Sequence, residues 1–146
     1  PHLLLMNDLL KAKQAVVEDG LSLSVYLEGQ CLYCSHDAGI KPMYLAYTQG
    51  FDFTGAAGAD KVVGLGAAAF WAAMHIGRLH AVVISDPALD FLIENGTDVT
   101  YDTLVPKIKN REGTGFCPVE TLALASDSFE DFVKETQAFL TRINQL

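Results

Sequence analysis

The chain has 146 residues, half of them apolar, and a formal net charge of −8. That length suits one domain, and a chain of this size buries roughly 70% of its unfolded surface with no disulfide or metal staple. The acidic balance excludes nucleic acid as a main partner, because phosphates need a stripe of Lys and Arg, and it excludes a polybasic membrane anchor. Three cysteines, Cys31, Cys34 and Cys117, are too few for a disulfide framework and fit a reducing cytoplasm. Pro1 to Leu5 has neither the basic flank nor the cleavage pattern of a signal peptide. No apolar run reaches the roughly 18 residues of a membrane span.

In chain order, Asn7 or Asp8 is placed to cap a first helix running to about Glu18, which Gly20 ends. Leu21, Leu23, Val25 and Leu27 alternate with polar residues as a half-buried strand. Glu28-Gly29 then reads as a two-residue turn into a return strand, Gln30 to Ser35. Pro42 marks the first turn of a second helix over about Lys41 to Thr48. A short strand at Phe51 to Phe53, a Gly/Ala loop over Thr54 to Ala59 and a long helix from about Asp60 to Ile76 follow. Ala81 to Ile84 is a continuous apolar run, the mark of a strand covered on both faces.

Ser85 or Asp86 caps the next helix, with Pro87 in its first turn and Gly96 after it. Thr97 to Tyr101 alternates as a strand, so a right-handed parallel crossover is expected between these strands. A long loop, Leu104 to Phe116, precedes a helix starting near Pro118. Ser128 caps a closing amphipathic helix whose apolar stripe holds Phe129, Phe132, Val133, Thr136, Leu140 and Ile143. The reading is a single domain over 1–146, with a core over about 7–125 and the segment 128–146 as an addition. That last stripe suits either a homodimer or burial in the chain's own core.

Four constellations can carry chemistry. In Gly113-Thr114-Gly115-Phe116-Cys117-Pro118-Val119-Glu120, glycines lead straight into a helix that starts on proline. Free amides and the positive end of the helix dipole meet there, which suits phosphate or carboxylate and lowers the pKa of a cysteine at the cap. Asn110 and Arg111 are further donors, whereas Glu120 opposes an anion. The plainer reading is a helix start with Cys117 packed inward. The second constellation, Thr54 to Lys61, fails both the Walker and the dinucleotide patterns and leaves an Asp60-Lys61 pair at a helix start.

Ser85-Asp86-Pro87, the third, lies at the carboxyl end of a buried strand, where open α/β sheets bind ligands, but it is also an ordinary helix start. The fourth is Cys31-Leu32-Tyr33-Cys34 with His36. On a strand, residues three apart face opposite sides, and no second ligand pair exists, so neither zinc nor redox chemistry is expected. His75 and His80 are read as structural. No metal and no cofactor are expected.

Three stretches together resemble a known family: Gly39-Ile40-Lys41-Pro42, Ala59-Asp60-Lys61-Val62-Val63-Gly64, and Val105-Pro106 through Asn110-Arg111-Glu112-Gly113-Thr114-Gly115-Phe116-Cys117-Pro118. It is a family of uncharacterised prokaryotic proteins, a domain of unknown function with a cytidine deaminase-like fold, and the likeness runs from about Asp8 to Ala125. The resemblance implies a three-layer α/β/α sandwich with a mixed sheet, an N-terminal antiparallel hairpin followed by parallel strands.

Zinc deaminases carry His/Cys-Ala-Glu at one helix start and Pro-Cys-x-x-Cys at the next. The corresponding starts, near Gly58-Ala59-Asp60 and Ser85-Asp86-Pro87-Ala88-Leu89, hold no Cys or His. Zinc-dependent deamination is therefore not expected. The matching segments give a site of Lys41, Asp60, Lys61, Asn110, Arg111, Thr114, Cys117 and Glu120. Asp60 would be base or hydrogen-bond acceptor, Lys61 or Arg111 anion partner and Cys117 nucleophile, with Lys41, Asn110, Thr114 and Glu120 completing the ligand contacts. Two functions compete: a metal-independent enzyme on a nucleotide-like or phosphorylated small molecule, and a non-catalytic binding or regulatory module on a degenerate deaminase scaffold.

Overall fold

Alternation sets the first two strands, β1 (Leu23–Leu27) and β2 (Gln30–Ser35), an antiparallel hairpin. Their turn has both central residues in the left-handed region, Glu28 at φ 51° and Gly29 at φ 81°, the twist that a two-residue hairpin turn requires. The computed structural model that shows this describes residues 2–110, 113, 115 and 117–146, the side chains of residues 2–6 excepted.

The first helix, α1 (His2–Val17), starts earlier than a cap at Asn7 or Asp8 implies. Asp8 lies inside it and is buried, and its carboxylate accepts the turn amides of Glu28 at 2.9 Å and Gly29 at 2.7 Å. An aspartate beside an apolar run reads locally as a cap, but its partners lie 20 residues further on.

The second helix, α2 (Lys41–Thr48), has the expected bounds, with Pro42 in its first turn. The next stretch differs from expectation. Phe51 to Phe53 forms no strand, and the strand is β3 (Ala57–Val63), followed by α3 (Leu65–Ala73). Asp60 and Lys61 therefore sit within a strand rather than at a helix start. Ala-Gly-Ala composition disguises a strand, because small residues have low strand propensity. Here they are needed for close approach. A Cβ at Gly58 would meet the Trp71 ring of α3 at 3.0 Å, and Ala59 packs against Ala12 and Val16 of α1.

β4 (Arg78–Ser85), α4 (Asp86–Glu94) and β5 (Asp98–Val105) complete the sheet. Its order is β2-β1-β3-β4-β5, with β1 antiparallel to both neighbours and β3, β4 and β5 mutually parallel. The fold is thus α/β with a five-stranded mixed sheet. Ser85 caps α4 as expected, accepting the amide of Ala88 at 3.3 Å.

β1 shows how the two faces differ. Ser24 donates to the Ala12 carbonyl of α1 at 2.7 Å, and Tyr26 packs beside Ala12, Val16 and Ala59. Leu23 and Val25 point away from α1 into the main core with Phe53, Phe70, Trp71 and Leu79.

Two helices follow β5, α5 (Pro118–Ala125) and α6 (Phe129–Arg142), the latter capped by Ser128, which accepts the amide of Asp131. Phe132, Thr136 and Leu140 of α6 are buried against the chain itself, with Phe132 and Leu140 in the main core. That part of the stripe is not free for a second copy. Among the described residues, no helix is long and apolar enough to cross a membrane.

β2 departs from the two-residue period. Val25 pairs with Tyr33 but Tyr26 with Cys31, so Leu32 is an extra residue, a β-bulge. The opposite-face expectation for Cys31 and Cys34 fails for that reason: their partners Tyr26 and Ser24 share one face, and so do the cysteines.

Candidate functional site

A cleft of about 700 Å3 opens beside β3. Asp60 and Lys61 line it from the strand, and Gly64 from the turn into α3. Asn110 reaches it from the loop after β5, and Cys117 and Glu120 from the start of α5. Apolar walls come from Ile40, Met43, Val119, Phe139 and Leu140. Of the residues singled out in the sequence, Asp60, Lys61, Asn110, Cys117 and Glu120 share this space. Lys41 begins α2 but is not in the lining, although its neighbours Ile40 and Met43 are. Arg111 and Thr114 lie outside the described residues.

Asp60 sits mid-strand, paired with Leu23 of β1 and Ala81 of β4, and is 7% exposed. The Trp71 indole N–H donates to its Oδ2 at 2.9 Å, while the Lys61 amide is spent on the Ser22 carbonyl at 2.9 Å. The indole bond favours the charged form. Burial disfavours it more strongly, and the carboxyl is pushed up to about 7. Asp60 can therefore give or take a proton near neutrality, the range in which a general acid or base works best. Lys61, the next residue, is exposed in the cleft.

Glu120 is also buried, and burial raises its carboxyl. It is placed in the first turn of α5, yet its partner belongs to α3. Its Oε1 accepts the Gly66 amide at 3.3 Å. The carboxylate thus satisfies a donor that the first turn of α3 leaves unpaired. Gly64 makes room for it, since a Cβ there would collide with the Glu120 carboxylate.

Cys117 is half-buried at the N-cap of α5. Its amide donates to the Ile108 carbonyl at 3.1 Å, and its thiol makes no capping bond. Asn110 closes the preceding loop, its amide donating to the Gly115 carbonyl at 2.9 Å and its carbonyl accepting from Gly113 at 3.1 Å.

Sequence reasoning missed Trp71 as a partner of Asp60 and His36 and Lys109 as parts of the lining. One signal for Trp71 was available. A buried indole N–H needs an acceptor, and this is the chain's one tryptophan. Ser85, His75 and His80 are not in the cleft lining. Ser85 caps α4, and His75 forms an exposed pair with Asp52 at 3.3 Å. His80 is buried with its Nδ1 2.7 Å from Thr100 Oγ1, and burial holds its imidazole below the ordinary value. Among the described residues, no three His, Cys, Asp or Glu side chains are grouped to hold a metal, so Cys31, Cys34 and His36 do not form such a set. The helix start after β3 is Gly64-Leu65-Gly66, several residues beyond Asp60, and it too has no Cys or His.

Residues 11–140 match a family model described as a domain of unknown function, DUF1893. The matched stretch runs through most of α6. No curated protein matches the chain. A crystal structure of a DUF1893 family protein from Thermotoga maritima is similar, with 33% identity and a TM-score of 0.79 over 89% of this chain and 88% of that one.

Proposed function

The chain belongs to the DUF1893 family, and on that premise we propose that it binds a nucleotide-like or phosphorylated small molecule and acts on it without a metal. The observation that carries this reading is the Asp60 carboxyl, buried, pushed up to about 7 and opening on a cleft of about 700 Å3. That volume lies within the roughly 300–1,000 Å3 of small-molecule sites. The apolar walls suit a heterocycle, Asp60 suits its hydrogen-bonding edge, and Lys61 and Lys109 suit a phosphate. Cys117 is the nucleophile candidate at the same opening. A three-layer α/β/α sandwich of the cytidine deaminase-like kind is the architecture we infer, supported by the strand order and by α1 lying apart from the main core. The helix starts after β3 and β4 hold no Cys or His, the ligands of the zinc deaminases, which favours acid–base chemistry over zinc-dependent deamination.

The test is a thermal-shift panel of nucleosides, nucleotides and sugar phosphates, with product analysis of every hit. A ligand at 100 times its Kd is expected to add about 2.7 kcal/mol of stability. The ligand should slow alkylation of Cys117, Lys61→Ala should weaken phosphate-bearing ligands most, and Asp60→Asn should abolish turnover. Binding without any product establishes the module reading instead. A panel with no hits, or hits indifferent to Asp60→Asn and Lys61→Ala, overturns the site.

A further inference from the structure

A second groove, of about 560 Å3, adjoins the cleft at the carboxyl ends of the parallel strands. Its floor is Val62, Val83 and Val105, one residue from each of β3, β4 and β5. Val62 and Val83 are register partners, and Val105 pairs with Ser85, two residues after Val83, so the three share one face. That face points away from α1, because Val82, next to Val83, packs with Ala12 and Val16. It is also the face of Asp60, two residues before Val62. Both faces of a parallel sheet are ordinarily covered. Here Val62 keeps 48% of its surface exposed, at the edge where open α/β sheets bind ligands.

Three residues, Val62, Ile108 and Lys109, line both the groove and the cleft. The two spaces are therefore neighbours with Lys109 between them, and Lys107 lies on the groove side. A cation at the junction of a polar cleft and an apolar groove suits one kind of ligand, an anion that carries an apolar chain. The protein's net charge of −8 speaks against the anionic surface of a bilayer and for a soluble molecule.

We propose that the ligand of the cleft is an amphiphile, a soluble phosphate ester whose phosphate lies at Lys109 and whose apolar chain runs over Val62, Val83 and Val105. The inference rests on the phosphate-binding reading of the cleft and adds the chain. Each methylene that the groove buries contributes to affinity independently of the phosphate, so a chain-length series separates the two parts. Val83 and Val105 line the groove and not the cleft, so a phosphate bound without a chain leaves them untouched.

The experiment titrates the isotope-labelled whole protein with methyl, butyl, hexyl and octyl phosphate and follows amide and methyl resonances. Methyl phosphate should move the amides of Lys61 and Lys109 and leave the Val83 and Val105 methyls in place. From butyl phosphate on, those methyls should move too, and affinity should tighten by up to about fourfold per added methylene until the groove is full. Val105→Asn should remove most of this gain while methyl phosphate binds as before, and the isosteric Val83→Thr should reduce it. Affinity that stays flat along the series while methyl phosphate binds overturns the amphiphile and leaves the phosphate reading standing. No response to any ester also overturns the amphiphile, and the nucleotide panel then decides the cleft by itself. Val83 and Val105 methyls that shift with protein concentration alone give the groove to a second copy. Sedimentation with phosphatidic acid vesicles, without a response to the soluble esters, gives it to a membrane, and either result overturns the proposal.

Discussion

Two buried aspartates, Asp8 and Asp60, differ in what surrounds them. Asp8, on α1, gives both carboxylate oxygens to the amides of the Glu28-Gly29 turn. It completes a hairpin that two left-handed residues alone leave with open donors. Asp60, on β3, has a tryptophan N–H as partner, yet burial outweighs it and its residue lines a cleft. Burial of a carboxylate therefore says little by itself. What separates the two is that the carboxylate of Asp8 is spent on a turn while Asp60 lines a cleft that a ligand can enter.

The largest test of that contrast is pH. Below about pH 4 the Asp60 carboxyl is neutral in folded and unfolded chains alike. Between about 4 and 7 the unfolded carboxyl ionises while the folded one keeps its proton. The folded state then binds more protons, so stability falls as pH rises and the fall is complete above about 7. Its depth is on the order of 4 kcal/mol. Urea unfolding across this range should show the descent in wild type, and Asp60→Asn should remove this component. An unchanged slope in the variant would place the titration elsewhere.

Asp8→Ala comes next, with an expected loss of about 2 kcal/mol at any fixed neutral pH, because two turn amides lose a charged acceptor. Calorimetry against a cleft ligand should find affinity unaltered. A large affinity loss in this variant would erase the distinction between the two aspartates. The smallest effect is that of Trp71→Phe on the titration itself. Removing the indole donor takes away a bond that favours the charged form, so the midpoint of the pH descent should move upward by the equivalent of about 1 kcal/mol. A midpoint moving downward would mean that Trp71 acts on Asp60 chiefly by excluding water.

The parts of the fold that were legible in the sequence rest on local signals. The hairpin, α2, and the caps at Ser85 and Ser128 are each specified by residues within a few positions of one another. The β3–α3 region was not, because Ala57 to Ala59 was selected for closeness to Trp71 and α1 rather than for strand propensity. Asp8 misled for the same reason, its partners being distant in sequence. The cysteine pair misled because strict alternation ignores a bulge, and nothing in Gln30 to Ser35 marks Leu32 as the extra residue. In the cleft, Asp60, Lys61, Asn110, Cys117 and Glu120 were readable as chemistry-bearing groups in stretches that resemble a family. The Trp71 contact and the α3 partner of Glu120 needed the packing of elements far apart in the chain.

The bond from Glu120 to the start of α3 also sets a clock. Gly66 is in the first turn of α3, where an amide has no carbonyl of its own helix to bond. Its acceptor is supplied by Glu120, 54 positions later, on α5. Any departure of α5 from the cleft would bare that amide to solvent while leaving the ladder of α3 in place. Deuterium uptake at Gly66 would therefore report such a departure separately from unfolding of the whole chain.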